Sequence, residues 1–254
     1  MSNNILRIDN LNVSFKQNRY GRYSWRDWFV EKIHSPLSLI HSNEFTIHVL
    51  KSVSFAMEKG VRLALIGRNG SGKTTLCRAL FGLLAPASGT IAKPFGTRAL
   101  FNTSAGMYPE LTGRENITLL AHFMYPDQSE QKIEEIVEDS LAFSDLKNYL
   151  DAPFFQYSRG MQTRLYLSLA SAMPAPLLIL DEVLDGADAV FQKKMEGRLT
   201  KIIADSGAVI IISHSEEQAR RYCTKGMVLK DGYVAYHGPI DYAHKAYLFF
   251  NQHD

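Results

Sequence analysis

The chain has 254 residues, of which 46% are hydrophobic and 21% charged, and its formal net charge is +2 at pH 7. This composition is typical of a folded globular protein and excludes disorder, collagen-like repeats and a chain built mainly of membrane spans. A net charge near zero gives no reason to expect nucleic acid as a partner. The two cysteines, Cys77 and Cys223, lack metal-ligand spacing and are typical of a reducing cytoplasm.

The sequence pattern of the N-terminal part predicts a β-strand, and an insertion separates it from the next strand-like segment. Residues 5–15 alternate as a half-buried strand does, with Leu11, Val13 and Phe15 on one side. Residues 16–45 then form a basic and aromatic insertion that contains both tryptophans. Two interpretations of this insertion stay open. It packs on its own domain, or it forms a short interfacial helix beside anionic headgroups or a membrane protein.

The stretch from Gly67 to Thr74 fits the phosphate-binding pattern G-x-x-x-x-G-K-[S/T], between an apolar strand and an apolar helix pattern. Glycines let several backbone N–H groups approach phosphate oxygens, and the following helix offers its positive end. Lys73 is expected to bridge the β- and γ-phosphates, and the Thr74 hydroxyl to bind Mg²⁺. The residues assigned to phosphate binding are Gly67, Asn69, Gly70, Ser71, Gly72, Lys73, Thr74 and Thr75. Alone, the loop leaves GTPase, kinase and ATPase open.

The middle of the chain is predicted to be helical, with apolar residues at helical spacing from Ser129 onward and again from Ser158. Wholly apolar runs at 177–180 and 209–212 flank another helical segment. Continuous apolar strands that alternate with helices predict an α/β fold with a parallel sheet covered on both faces. We therefore expect a helical subdomain, at about residues 103–172, inserted in an α/β core.

Two of the apolar strands end in candidate catalytic groups. Asp181 and Glu182 follow the first, where Asp181 is expected to hold Mg²⁺ and Glu182 to orient or deprotonate the attacking water. His214 follows the second and could reach the γ-phosphate and the water. The guanine-reading tetrapeptide N-K-x-D does not occur in the sequence, which disfavours a GTPase.

These motifs, in this order, resemble the nucleotide-binding subunit of an ATP-binding cassette (ABC) transporter over nearly the whole chain. The turn from Tyr157 to Gln162 occupies the place of the family's Leu-Ser-Gly-Gly-Gln motif, which it matches at Ser158 and Gly160. The resemblance implies one domain over residues 1–254 with an antiparallel N-terminal β portion. It also implies a homodimer with ATP between the subunits, where Ser158 and Gly160 meet the phosphate that the other subunit holds.

The variant Tyr-Ser-x-Gly-Met resembles the ATPases that export O-antigen, capsule and teichoic acid. The segment from Tyr108 to Asn116 and the run from Asp181 to Leu184, with Asp188 after it, are similar to this subgroup. The resemblance implies a role for Asp188 against the opposite subunit. It also implies an integral membrane partner, a lipid-linked polysaccharide as cargo, and a peripheral position at the cytoplasmic face of the bacterial inner membrane. No carbohydrate-binding domain is expected after the last strands.

Several positions depart from the family pattern. Asn102 stands where members carry Gln or Glu, and it could still contact Mg²⁺ or water. Arg159 replaces a small residue and could either contact the phosphate or point to solvent. Phe15 is the candidate to stack on adenine, with a core-packing role as the alternative and His48 as a weaker candidate.

Other functions stay open on the sequence alone. The chain could serve an ABC importer or a drug or lipid exporter, although the Tyr-Ser-x-Gly-Met turn and the segment at Pro109 speak against this. It could also be a regulatory ATPase of the same fold that has no membrane subunit.

Overall fold

The structure is a computed structural model that describes residues 4–18, 44–101, 106–181, 188–212 and 216–252. The predicted insertion at 16–45 lies mostly outside the described residues, as do Asn102, Glu182 and His214.

The strands of the described residues form two sheets. The smaller sheet is antiparallel, with strand order β2-β1-β4, and consists of β1 (Asn4–Asn18), β2 (Glu44–Glu58) and β4 (Ser88–Ala92). The larger has the order β5-β6-β7-β3-β8-β9. Its strands are β3 (Arg62–Ile66), β5 (Arg98–Phe101), β6 (Leu177–Asp181), β7 (Ala208–Ile212), β8 (Lys225–Lys230) and β9 (Tyr233–Pro239). All its pairings are parallel except that of β8 with β9.

Helices connect and cover these strands. They are α1 (Lys73–Phe81), α2 (Gly113–Met124), α3 (Glu130–Ser144), α4 (Arg159–Ala170), α5 (Ala189–Asp205), α6 (Glu216–Tyr222) and α7 (Ile240–Gln252), with a 3₁₀ turn at Phe154–Gln156. Side chains define several helix starts. Thr112 and Glu115 form a capping box at α2, and Ser129 caps α3. The expected α/β architecture, with an antiparallel N-terminal portion and an inserted helical portion, is confirmed.

The core divides into three apolar clusters that follow this architecture. One lies between the large sheet, α1 and the small sheet, and a second lies on the opposite face of the large sheet against α4, α5 and α7. The third joins α2, α3 and α4. Strands β6 and β7 are buried at every position, which explains their uninterrupted apolar sequences.

Candidate functional site

The phosphate loop connects β3 to α1, as the motif predicts. Gly72 adopts a φ of 104°, a left-handed conformation that strains other residues. At Gly67, a Cβ would lie 2.5 Å from the carbonyl oxygen of Leu229. Sequence and geometry therefore agree that these two positions need glycine, one for its backbone conformation and the other for close packing on β8.

The N-terminus of α1 faces the loop without a side-chain cap. Its N-cap residue is Gly72, which has no side chain that could accept a hydrogen bond from the first turn. Uncapped N–H groups and the helix dipole favour an anion at this position. Lys73 is buried beside them, and its Nζ donates to the carbonyl oxygens of Gly67 at 2.7 Å and Arg68 at 3.0 Å. The loop thus places one cation and a helix N-terminus together.

Ser71 carries the observation that best tests whether this loop fits a phosphate. Its Oγ is buried and has no hydrogen-bond partner within the part of the chain that the structure describes. Burying such a group without a partner costs about 1–3 kcal/mol, so native structures rarely keep one without a reason. A phosphate oxygen would accept from this hydroxyl and from the nearby helix N–H groups. The residues of the loop therefore fit the phosphates of a nucleotide.

Asp181 lies at the edge of the large sheet that faces the loop. It ends β6, is 7% exposed, and lies opposite Phe101 of β5 and Ile212 of β7. Burial raises the pKa of the Cys77 thiol well above its usual value, and the charge of Asp181 adds to this effect. Cys77 lies one turn after Thr74 on α1, so the carboxylate is near the helix face that carries Thr74. This arrangement fits the metal-ligand pair that the sequence predicts.

The strands that precede the remaining predicted catalytic positions end at the same edge of the large sheet. Strands β6, β7 and β3 are neighbours and parallel, so their carboxyl ends meet beside the phosphate loop. Glu182 follows β6 directly, His214 follows β7 after one residue, and Asn102 follows β5 directly. Their side chains lie outside the described residues, and their roles in water activation and metal binding stay predictions.

Phe15 lies on the small sheet, and its side chain is not in the core. Leu11 and Val13 are buried as expected, but Phe15 is 40% exposed beside Ile47, which is 39% exposed. The described pairing of β1 with β4 ends at Asn12, so Phe15 lies on a part of β1 that is paired with β2 alone among the described strands, at the margin of the small sheet. The core-packing alternative for Phe15 is therefore excluded, while its stacking on adenine stays a prediction. His48, opposite Ser14, is exposed as well.

The turn before α4 exposes polar groups to solvent and is held in place by one buried side chain. Ser158 is the N-cap of α4 and accepts from the Met161 N–H at 3.3 Å. A Cβ on Gly160 would meet nothing closer than the Ser158 Oγ at 4.0 Å, and Arg159 is exposed. Tyr157 is buried, and its hydroxyl donates to the Tyr149 carbonyl at 2.5 Å. The turn thus has room for a ligand or a second molecule above Gly160.

Asp188 is at the start of α5 and acts as its N-cap. Its Oδ1 accepts from the Phe191 N–H at 3.0 Å, and its Oδ2 lies 3.4 Å from Nη1 of Arg164. The Phe191 N–H and, to a lesser extent, the Arg164 guanidinium hold the pKa of Asp188 below its usual value. Sequence reasoning missed Arg164, because its partners come from other helices and only the packing brings them together.

Comparison with known proteins decides the family. The sequence pattern of the family described as "ABC transporter" matches residues 50–185, which is more than half of the chain. The chain belongs to this ABC transporter family. It is an ABC-type ATPase coupled to transport, and the resemblance inferred from its motifs is confirmed.

The curated relatives include an O-antigen and a capsule export protein. The chain is 34% identical to the "O-antigen export system ATP-binding protein RfbE" of Yersinia enterocolitica over 191 residues, covering 74% of this chain and 78% of RfbE. It is 32% identical to the "Capsule polysaccharide export ATP-binding protein CtrD" of Neisseria meningitidis, covering 80% of this chain and 90% of CtrD. For the "Teichoic acids export ATP-binding protein TagH" of Bacillus anthracis the identity is 33%, and the match spans 35% of TagH.

Solved structures share the fold. The "Structure of ATP binding subunit of ABC transporter" matches with a TM-score of 0.72 and 22% identity over 97% of this chain and 99% of that one. The "Dimeric structure of a post-hydrolysis state of the ATP-binding cassette MJ0796 bound to ADP and Pi" matches with a TM-score of 0.67 and 20% identity, covering 92% of this chain and 98% of that one. No helix among the described residues is both long and apolar enough to span a bilayer.

Proposed function

We propose that this chain is the ATP-hydrolysing subunit of an exporter that drives a membrane partner to move a lipid-linked polysaccharide across the bacterial inner membrane. It would act from the cytoplasmic face as a peripheral subunit. The observation that carries the proposal is that relatives at 32–34% identity are named for O-antigen, teichoic acid and capsule polysaccharide export. The Tyr157 variant of the turn before α4 supports the same subgroup.

The catalytic arrangement that we propose uses residues of two chains. One subunit would bind ATP through its phosphate loop, Lys73 and the N-terminus of α1. Its partner would close the site with Ser158 and Gly160, and with Asp188 near the interface. The exposed turn at Ser158 and the open space above Gly160 support this arrangement, and a structural neighbour with the same fold is described as dimeric. Each chain carries both halves, so a two-fold dimer would form two equal sites.

The residues divide the chemistry by position. Thr74 and Asp181 would hold Mg²⁺, with Asn102 beside them, and the bound ion would neutralise charge on the phosphate oxygens. Glu182 would orient the attacking water and take its proton, and His214 would contact the γ-phosphate. Lys73 would leave its loop carbonyls to meet the phosphates. Catalysis here is mainly positioning and charge stabilisation.

ATP would close the dimer because the nucleotide contacts both chains only in the closed state. A ligand shifts an equilibrium by its difference in affinity for the two states, and here that difference is the set of contacts made by the Ser158 turn. Hydrolysis removes the bridging phosphate, so the dimer reopens. The attached membrane subunit would convert this cycle into movement of the polysaccharide.

Co-purification tests the transport assignment most directly. We expect the tagged chain to bring down an integral membrane protein, and deletion of its gene to leave a lipid-linked polymer inside the cell. Complementation with the Glu182→Gln chain should fail, whereas the unchanged chain should restore export. An intact surface polymer in the deletion strain, or lost uptake of a solute or lost export of a drug instead, would contradict the polysaccharide assignment.

A further inference from the structure

We propose that Arg164 is a positioning residue that joins the Ser158 turn and Asp188 into one rigid unit, so that both approach the partner's nucleotide together. The proposal rests on the two-chain site of the proposed function, and it adds a residue that does not itself touch the nucleotide.

Arg164 lies six residues after Ser158 on α4, or about 9 Å along the helix axis. Its three guanidinium nitrogens face three different groups. Nη1 is 3.4 Å from Asp188 Oδ2, Nη2 is 3.6 Å from Asp145 Oδ2, and Nε donates to the Ser144 carbonyl at 3.0 Å. The side chain therefore connects the helix that begins at Ser158 with the cap of α5 and with the end of α3.

The surroundings of Arg164 restrict its motion. The guanidinium stacks over the Phe191 ring with 5.2 Å between its central carbon and the ring centroid, and the side chain is 21% exposed. Phe191 is itself buried and packs edge-to-face on Phe143 at 5.7 Å. A planar, stacked cation with directed N–H groups fixes orientation better than a flexible ammonium group does. The two carboxylate partners stay about half exposed, at 52% for Asp188 and 49% for Asp145. We infer that stacking and burial of the guanidinium make the link stiffer than a pair of fully solvated side chains.

Asp145 extends the link to a second cation. It ends α3 in a left-handed conformation, with a φ of 56°. The Lys194 Nζ lies 2.9 Å from Asp145 Oδ2 and donates to the Phe143 carbonyl at 2.9 Å. Helix α5 is thus held to the end of α3 by Lys194 and to α4 through Arg164 and Asp188. Three helices meet at these charges, so the two turns that are proposed to face the partner are expected to move as one.

Such a link should affect dimer closure and leave nucleotide binding by the single chain intact. The described contacts of Arg164 lie at the end of α3 and at the start of α5, and none of them involves the phosphate loop. A surface that is already ordered loses less entropy on association than one that must be ordered. Without Arg164, the Ser158 turn and Asp188 would have to be ordered separately when the dimer closes.

The test uses a chain with Glu182→Gln, which we expect to form an ATP-trapped dimer. In this background Arg164→Gln should weaken ATP-driven dimerisation by about fivefold, the loss expected for partly exposed ion pairs. Its binding of a fluorescent ATP analogue as a monomer should stay within about twofold of the parent. Dimerisation equal to that of the parent, or loss of monomer binding and dimerisation to the same extent, would overturn the proposal.

Arg198→Gln provides a matched control. Arg198 is on α5, and its guanidinium likewise stacks over an aromatic ring, that of Phe143, at 4.2 Å. It pairs with Asp139 of α3 and donates to the Ser171 carbonyl at the far end of α4. Its removal disturbs the same three helices without touching Asp188. We expect it to lower thermal stability as Arg164→Gln does, but to leave dimerisation unchanged. Equal loss of dimerisation in both variants would indicate a general packing defect and contradict the proposal.

Asp188→Asn keeps the proposal testable if Arg164→Gln does not fold. Asparagine caps helices as well as aspartate does, so α5 keeps its N-cap while the charge pair with Arg164 is lost. We expect the same selective loss of dimerisation, and an unchanged dimer would refute the link. If the Glu182→Gln parent does not dimerise with ATP, the two-chain site of the proposed function fails. If the parent dimerises with ATP and the Arg164 and Asp188 variants dimerise equally well, the inference about Arg164 is wrong while the two-chain site stands.

Discussion

At the scale of single residues, the buried hydroxyl of Ser71 gives a prediction that separates stability from binding. Ser71→Ala removes a group that lacks a partner in the described structure, so we expect the nucleotide-free protein to become more stable by about 1 kcal/mol. The same change should weaken ATP binding by roughly tenfold, because one donor to the phosphates is lost. Thermal unfolding without nucleotide and titration with an ATP analogue measure the two effects.

Ser140→Ala is the control for this experiment. Ser140 is also buried, but its Oγ donates to the Ile136 carbonyl at 2.6 Å within α3, far along the chain from the loop. We expect no gain in stability and unchanged ATP binding. If Ser71→Ala destabilised the nucleotide-free protein, or bound ATP as well as the unchanged chain, the role given to this hydroxyl would be wrong.

The buried thiol and phenol groups predict how the fold responds to alkaline pH. Burial raises the pKa of Cys223 from its ordinary value of 9.0 to about 12, and it raises the pKa of Tyr166 to about 12. Both groups are neutral when protonated, so the folded state holds these protons more tightly than the unfolded state does. Their contribution to stability is complete below about pH 9 and decreases as the pH rises toward 12.

We expect the free energy of unfolding to decrease between about pH 9 and 12, and we expect this decrease to be smaller in Cys223→Ala. Denaturant unfolding at a series of pH values measures this free energy. Native Cys223 should also react slowly with a thiol reagent at pH 8 and quickly in denaturant. A rapid reaction in the native protein would contradict the burial.

At the scale of elements, the turn at the start of α4 makes opposite predictions for two glycines. A Cβ at Gly160 has open space, and alanine is a better helix former, so Gly160→Ala should raise the stability of the single chain by about 0.5–1 kcal/mol. The added methyl would occupy the space proposed for the partner's phosphate. ATPase activity should therefore fall although stability rises.

Gly113→Ala should have the opposite effect and lower the stability of the chain. A Cβ there would collide with the Tyr157 hydroxyl, which anchors the turn through its bond to the Tyr149 carbonyl. We expect a loss of stability of about 1–3 kcal/mol, because the phenol must shift and its hydrogen bond is strained. Thermal unfolding and steady-state ATPase assays distinguish the two variants. A Gly160→Ala chain with full activity would remove the reason for placing a phosphate at this turn.

The elements also show what sequence can and cannot reveal. The capping residues Thr112, Ser129 and Ser158 are local signals, and the helices begin where these residues indicate. The apolar runs of β6 and β7 predicted buried parallel strands because such strands need apolar side chains on both faces. The exposure of Phe15 could not be predicted, since it depends on where the pairing of β1 with the distant strand β4 ends, which simple alternation does not encode.

The phosphate loop of the candidate site could be predicted from the sequence, whereas the contacts that support the Ser158 turn could not. The phosphate loop is a continuous segment, so its residues and its strand–helix context are readable together from the sequence. The contacts of Arg164 come from Ser144, Asp145 and Asp188, which are separated along the chain and meet only through helix packing. A cation on a half-buried helix face was the one signal that could have drawn attention to it.

At the scale of the whole molecule, the account depends on two chains that complete each other's sites. A Lys73→Ala chain should lack ATP binding but keep the Ser158 turn, and a Ser158→Ala chain should keep ATP binding but lack that turn. In a heterodimer of the two, one site has both intact halves and the other has neither. With equal mixing, half of the dimers are heterodimers, so about a quarter of all sites are intact.

The most direct measurement is the ATPase rate of this mixture against the rates of the two variants alone. We predict that the mixture exceeds the mean of the separate rates and approaches about a quarter of the rate of the unchanged chain. A mixture whose rate equals that mean at every ratio of the two chains would contradict the shared site.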